Sequence, residues 1–258
     1  MSIFRYGTLI DVYTLIKITD MKSIFYKASE RGHAEHGGWL KSNFSFSFAE
    51  WNNPEKIHFG ALRVLNDDSI AAGGGFGMHP HDNMEIVTIP TRGTVAHKDS
   101  TGTDGLIHTG DVQIMSAGTG IRHSEYNPST TDALELFQIW VFPKLKNVKP
   151  RYEQKSFNSD GRINQWQVVV SPDASEDGVL INQDARFSLS QLDEGKSLSY
   201  KTKFKGSGIY LFVINGEVKV GDQVLQHRDA LGISESDNIE ITASENAQLL
   251  AIEVPMLS

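Results

Sequence analysis

Residues 73–85 read GGGFGMHPHDNME, and residues 110–128 read GDVQIMSAGTGIRHSEYNP. Each stretch sets two potential metal ligands two residues apart behind a glycine-rich turn. The first offers His79 and His81, the second His123 and Glu125. In a β-strand, side chains at i and i+2 share a face and lie roughly 6.6 Å apart. Each pair can therefore aim two donors at one point. Two facing pairs give three nitrogens and one oxygen around an ion, a set that suits Fe(II) and also accepts Ni, Cu, Mn, Co or Zn. A lone His-x-His is weak evidence, because surface histidines on an alternating strand look the same. Two same-parity pairs behind glycine-rich turns make that bland reading improbable. Pro80 cannot donate to a central ladder, which places the first pair at a strand end or barrel mouth.

Glu85 shares parity with His79 and His81 and is a rival carboxylate. Uninterrupted strand would carry it roughly 13 Å from His81. Glu125 is therefore the preferred ligand, and Glu85 is expected to stand just behind the site. His97 and Asp99 read as an exposed strand pair near it. His33, His36, His58, His108 and His227 read as structural or surface residues.

Outward from this centre the chain is a succession of short β-type runs. They include Asn43–Phe48, Glu85–Pro90, Val112–Met115, Glu135–Val141, Gln167–Val170, Ile209–Ile214, Glu217–Val220 and Leu249–Val254, separated by Gly, Pro, Asn and Asp clusters. Helical periodicity is nowhere sustained, so the fold class is all-β. A weak repeat divides the chain in two. IVTIPTRGT at 86–94 resembles LFVINGEV at 211–218, and GDVQIMS at 110–116 resembles RDALGIS at 228–234. The lysine-rich stretch 144–151 is the natural linker. This gives an N-terminal domain over 21–145 and a C-terminal domain over 146–258. Residues 1–20 are expected to be a poorly ordered extension, with an ordinary first strand as the alternative. Counting back from Gly216 as from Gly93 puts Thr202 and Phe204 where the second half should carry its His-x-His, and 237–241 holds no histidine. The second domain therefore has the scaffold without the ligands. It would support the first domain or close over its mouth.

Composition narrows the function. The net charge is −8 and no basic block runs along the chain, which argues against nucleic acid or an anionic membrane as partner. There is no cysteine, so thiolate chemistry and disulfides are excluded and any metal must use nitrogen and oxygen ligands. A cytoplasmic monomer acting on a small molecule fits this balance.

The two motifs, together with ERGHAEHGGWLKSNFSFSFA at 30–49, resemble the paired motifs of the cupin superfamily and, within it, the pirin family. The likeness is strong from about Met21 to Pro143 and fainter beyond. It implies a bicupin: two antiparallel double-stranded β-helix (jelly-roll) barrels, with one divalent metal, Fe(II) first among candidates, held in the N-terminal barrel by His79, His81, His123 and Glu125. Ser116, where cupins usually have proline, and the four residues before His123 match the pirin subgroup's own version. Bacterial pirin-like proteins are similar to quercetin 2,3-dioxygenases, so the resemblance implies flavonol ring opening with O₂ and release of CO. Glu125 would then be the catalytic base, beside an apolar mouth drawing on Phe44, Phe46, Phe48, Phe76 and Met78, although residues patterned like Phe44, Phe46 and Phe48 are more often plain core. Animal pirins resemble iron-dependent redox-sensing regulators, a second reading. Non-redox cupin chemistry on zinc is a third.

Overall fold

The computed structural model describes residues 21–257. The expected extension at 1–20 lies outside them. Strands β1 (Lys22–Tyr26), β2 (Gly32–His36), β3 (Leu40–Phe44), β4 (Leu62–Ile70), β5 (Gly75–His81) and β6 (Glu85–Arg92) come first. They are followed by β7 (Thr94–Asp99), β8 (Asp104–His108), β9 (Asp111–Ser116), β10 (Ile121–Tyr126), β11 (Leu134–Val141) and β12 (Arg151–Ser156). The second half contains β13 (Gln167–Ser171), β14 (Val179–Leu180), β15 (Arg186–Leu192), β16 (Ser197–Lys201) and β17 (Ser207–Asn215). It continues with β18 (Val218–Val220), β19 (Gln223–Leu225), β20 (Ala230–Ser234), β21 (Asn238–Ala243) and β22 (Ala247–Pro255). The expected strand at 43–48 is shorter: β3 stops at Phe44.

Each half folds as a seven-stranded sheet facing a four-stranded one, and the strand orders match. The large sheets run β12-β9-β6-β11-β4-β3-β2 and β1-β20-β17-β22-β15-β13-β14. The small ones run β5-β10-β7-β8 and β16-β21-β18-β19. The repeat seen in the sequence is thus a repeat of topology, and the architecture is a double cupin.

The ends of the large sheets are exchanged. β1, from the start of the described chain, pairs with β20 of the C-terminal sheet, whereas β12, beyond the lysine-rich linker, pairs with β9 of the N-terminal sheet. A cut of the chain between 145 and 146 therefore does not follow the sheets. The equivalent outer strand of each barrel comes from the other half of the chain.

The two large sheets pack on each other through a core containing Leu65, Val87, Ile89, Ile114, Phe137 and Ile139 on one side and Phe187, Leu189, Phe212 and Ile252 on the other. β6 is consequently buried on both faces for its first six residues. This is why it reads as a continuous apolar run rather than an alternation. Its partner β11 still alternates: Phe137, Ile139 and Val141 enter the inter-barrel core, while Gln138 and Trp140 face the interior of the first barrel. Among the described residues no helix is long and apolar enough to cross a membrane.

Candidate metal centre

β5 and β10 are antiparallel neighbours in the small sheet, with His123 opposite His79 and Ile121 opposite His81. The ladder is interrupted between His123 and Glu125, which face His79 and Phe76 respectively. Bulges of this kind redirect side chains next to functional sites. Here one extra residue on β5 lets Phe76 as well as His79 and His81 line the cavity, while Met78 is 45% exposed. On β10 the alternation is strict, with Ile121, His123 and Glu125 buried and Arg122 and Tyr126 exposed.

The three imidazoles converge. Their ring centroids lie 4.8 Å (His79–His81), 4.4 Å (His79–His123) and 4.9 Å (His81–His123) apart, and one nitrogen from each falls within 4.8 Å of the others. Nδ1 of His79 is 2.8 Å from the carbonyl of Gly77; an Nδ1–H donated there leaves Nε2 with a free lone pair. Burial, reinforced by the neighbouring His79 imidazole, lowers the pKa of His81 to about 4. Burial and the surrounding imidazoles lower that of His123 further. Both rings are therefore neutral at ordinary pH, the form that ligates metal. Both ring nitrogens of His123 are buried without a hydrogen-bond partner, which is costly unless another group satisfies them. This orphaned pair, with two more imidazoles beside it, fits a divalent transition ion.

Glu125 stands at the edge of the trio. It groups within 4.8 Å with His123 and His97 rather than with all three histidines. Its Oε2 accepts from Gln138 Nε2 at 2.8 Å, and its Oε1 lies 3.2 Å from the Thr88 hydroxyl. Burial raises its pKa, against the opposing pull of His97, Gln138 and Thr88.

Glu85 is elsewhere. β5 ends at His81 and β6 begins at Glu85 in the other sheet, so the turn 82–84 breaks the parity on which its expected position rested. Its carboxylate accepts from Ser116 Oγ and from the backbone N–H of Asn182 in the second half of the chain. It belongs to the barrel junction. The expected exposure of His97 and Asp99 is also corrected: both side chains are fully buried and bonded, Nε2 to Oδ2, at 3.0 Å. The small sheet closes over them, with Asp99 opposite His123 and His97 opposite Glu125 in the register of β7 and β10.

A cavity of about 500 Å³ opens onto the trio. Its walls include Trp39, Phe48, Phe76 and Trp140, and its polar lining residues are Asn66, Asp68, Gln138 and Glu125. Of the aromatic residues expected at the mouth, Phe48 and Phe76 are there. Phe44 and Phe46 are core residues, Phe46 packing on Tyr26 and Tyr210. Trp39, Asn66, Asp68, Gln138 and Trp140 escaped sequence reasoning. A polar Gln138 inside the apolar run LELFQIWV was the available signal. Every lining residue of the cavity comes from the first half of the chain, so the second barrel backs the site rather than capping it. In that barrel the positions equivalent by sheet order are held by Leu198 and Tyr200 opposite Ile241 and Ile239, an apolar filling. Thr202 and Phe204, where counting placed them, lie just past β16 in a longer loop.

A double cupin with a histidine trio in one barrel only is the class that fold and site define. The chain belongs to the pirin family: the Pirin model matches residues 26–141, and that of the quercetinase C-terminal cupin domain matches 168–254. Quercetin 2,3-dioxygenase of Escherichia coli K12 is 42% identical over 89% of this chain and 97% of its own length. The crystal structure of the bacterial pirin YhhW from Escherichia coli in complex with nickel(II) is 40% identical, with a TM-score of 0.86, covering 92% of this chain and all of that one. A quercetin 2,3-dioxygenase from Acinetobacter baumannii, 22% identical over 90% of this chain and 85% of its own with a TM-score of 0.74, shares the fold.

Proposed function

We propose that this chain is a metal-dependent dioxygenase that opens the ring of a flavonol such as quercetin, releasing CO, and that His79, His81, His123 and Glu125 hold its divalent metal. Fe(II) is the first candidate ion. Curated quercetin 2,3-dioxygenases at 42% identity over most of the chain support a dioxygenase oxidoreductase. The observation that carries the reading is the cavity: about 500 Å³, lined by aromatic and hydrogen-bonding side chains together with the three imidazoles. A bound transition metal would supply a redox-active Lewis acid there. Trp39, Phe48, Phe76 and Trp140 would hold a flat aromatic substrate, and Asn66, Asp68 and Gln138 would pair with its hydroxyl groups. Glu125, whose proton affinity is raised by burial, suits removal of the substrate's hydroxyl proton, with Gln138 and Thr88 fixing the carboxylate.

A regulator that senses iron through its surface would need no substrate-sized chamber, so the cavity weighs against that alternative. The test is direct. Protein stripped of metal and reloaded anaerobically with Fe, Ni, Cu or Mn, one at a time, is mixed with quercetin and O₂, and CO is measured. CO release with at least one ion, abolished in His123→Ala, is expected. No CO with any of the four overturns the proposal.

A further inference from the structure

We infer that His97, anchored by Asp99, is a positioning residue that fixes the tautomer of His123 and thereby sets the metal affinity of the site. The inference rests on the assignment of the histidine trio as metal ligands.

Asp99 Oδ1 accepts from the Thr101 hydroxyl at 2.6 Å, from the Thr101 N–H at 2.8 Å and from the Thr103 N–H at 3.3 Å. Its Oδ2 is left for His97 Nε2, 3.0 Å away. A carboxylate so surrounded by donors is an acceptor, which places the proton of His97 on Nε2 and a lone pair on Nδ1. That Nδ1 is buried and has no partner. Nearby, His123 carries two buried, unpartnered nitrogens. If one of them binds metal, the other carries a proton and needs an acceptor, as ligating histidines generally have. The two deficits complement each other. The rings are 5.4 Å apart between centroids, and a nitrogen from each lies within 4.8 Å of the other and of a Glu125 oxygen. His97 is held from its far side by Tyr152, 4.9 Å between centroids, whose hydroxyl is committed to Gln154 at 2.7 Å. The Asp99–His97 bond is formed; a small approach of the His97 and His123 rings, whose nitrogens are still unpartnered, would extend it into a chain from Asp99 through His97 to His123.

The test uses Co(II) as probe, its affinity measured by competition with a chelator and its coordination by the visible d–d spectrum. His97→Phe keeps a ring against Tyr152 but removes the acceptor. It should weaken Co(II) binding about 10–100-fold and alter the spectrum, with the metal-free protein still folded. His97→Gln, which restores an acceptor oxygen, should recover part of the loss, and Asp99→Asn should resemble His97→Phe. Long-range ¹H–¹⁵N spectra of zinc-loaded wild type, which need no variant, should find His97 protonated on Nε2. Wild-type affinity in His97→Phe, or the opposite tautomer of His97, overturns this inference alone. Failure of wild type itself to bind Co(II) overturns the ligand assignment, and this inference with it.

Discussion

Asp68 is the least conspicuous polar residue of the cavity and the one with the clearest pH signature. It sits on β4, accepts from the Ser42 hydroxyl, and is buried. Burial pushes its pKa from 3.8 up to about 7; the Ser42 bond opposes this, and the charges of Asp67 and Glu125 add to it. The folded protein then holds this proton more tightly than the unfolded chain does. Its contribution to stability is complete below 3.8 and is lost as pH rises toward about 7. In metal-free protein the wild type should lose up to about 1.4 kcal/mol of stability per pH unit across that window relative to Asp68→Asn, which cannot ionise. Denaturant unfolding at several pH values checks this, and parallel profiles would contradict it. The convergence of His79, His81 and His123, and the place of Glu125 in the same cavity, were legible because same-face spacing is a local property. Asp68, Asn66 and Gln138 were not legible, since nothing in LRVLNDDSI says which of Asp67 and Asp68 faces the cavity and which meets Arg31 and Arg228.

At the scale of elements, the site depends on how closely β5 approaches β10. Gly75 lies opposite Tyr126, and a Cβ built on it would fall 2.4 Å from the Glu125 carbonyl oxygen and 2.5 Å from the Tyr126 ring. Gly75→Ala should therefore push apart the two strands that carry all three histidines. We expect a destabilisation of about 1–3 kcal/mol together with weaker Co(II) binding. Gly105→Ala on β8, where an added Cβ meets nothing within 4 Å, should leave both unchanged and serves as the control. Thermal unfolding and metal titration of the two variants decide it, and a Gly75→Ala protein equal to wild type in both would refute the close-approach argument. The same scale explains the misplacement of Glu85. Parity holds only inside one strand, and the turn at 82–84 carries the chain from the small sheet to the large one.

Across the whole molecule, the exchanged outer strands tie the barrels together. Tyr26 closes β1 in the C-terminal sheet, yet its ring packs 5.9 Å from Phe46 of the first half and 5.2 Å from Tyr210 of the second. Removing it empties a space shared by both barrels. Tyr26→Ala should cost about 3–5 kcal/mol, the range for large aromatic truncations in a core, and should speed hydrogen exchange at Ala230–Ser234, the strand that β1 covers. A shift in the denaturant midpoint worth less than about 1 kcal/mol would show that the exchange is not structural. By the same logic a fragment ending at 145 lacks β12 and leaves the β9 edge unpaired, a template for aggregation.

The sequence by itself determined the strand content, the duplication and the two same-face pairs, His79 with His81 and His123 with Glu125, because period-two patterning, turn glycines and same-face spacing are written within a few residues of one another. It also showed that the second half lacks histidines where the first half has them. Only the tertiary structure decided that Glu85 belongs to the barrel junction, that His97 and Asp99 are buried behind His123, and that Lys22–Tyr26 and Arg151–Ser156 trade barrels. Those outcomes depend on which sheet a strand joins and what packs on its outer face. Such non-local pairings leave no mark on the residues nearby in the chain.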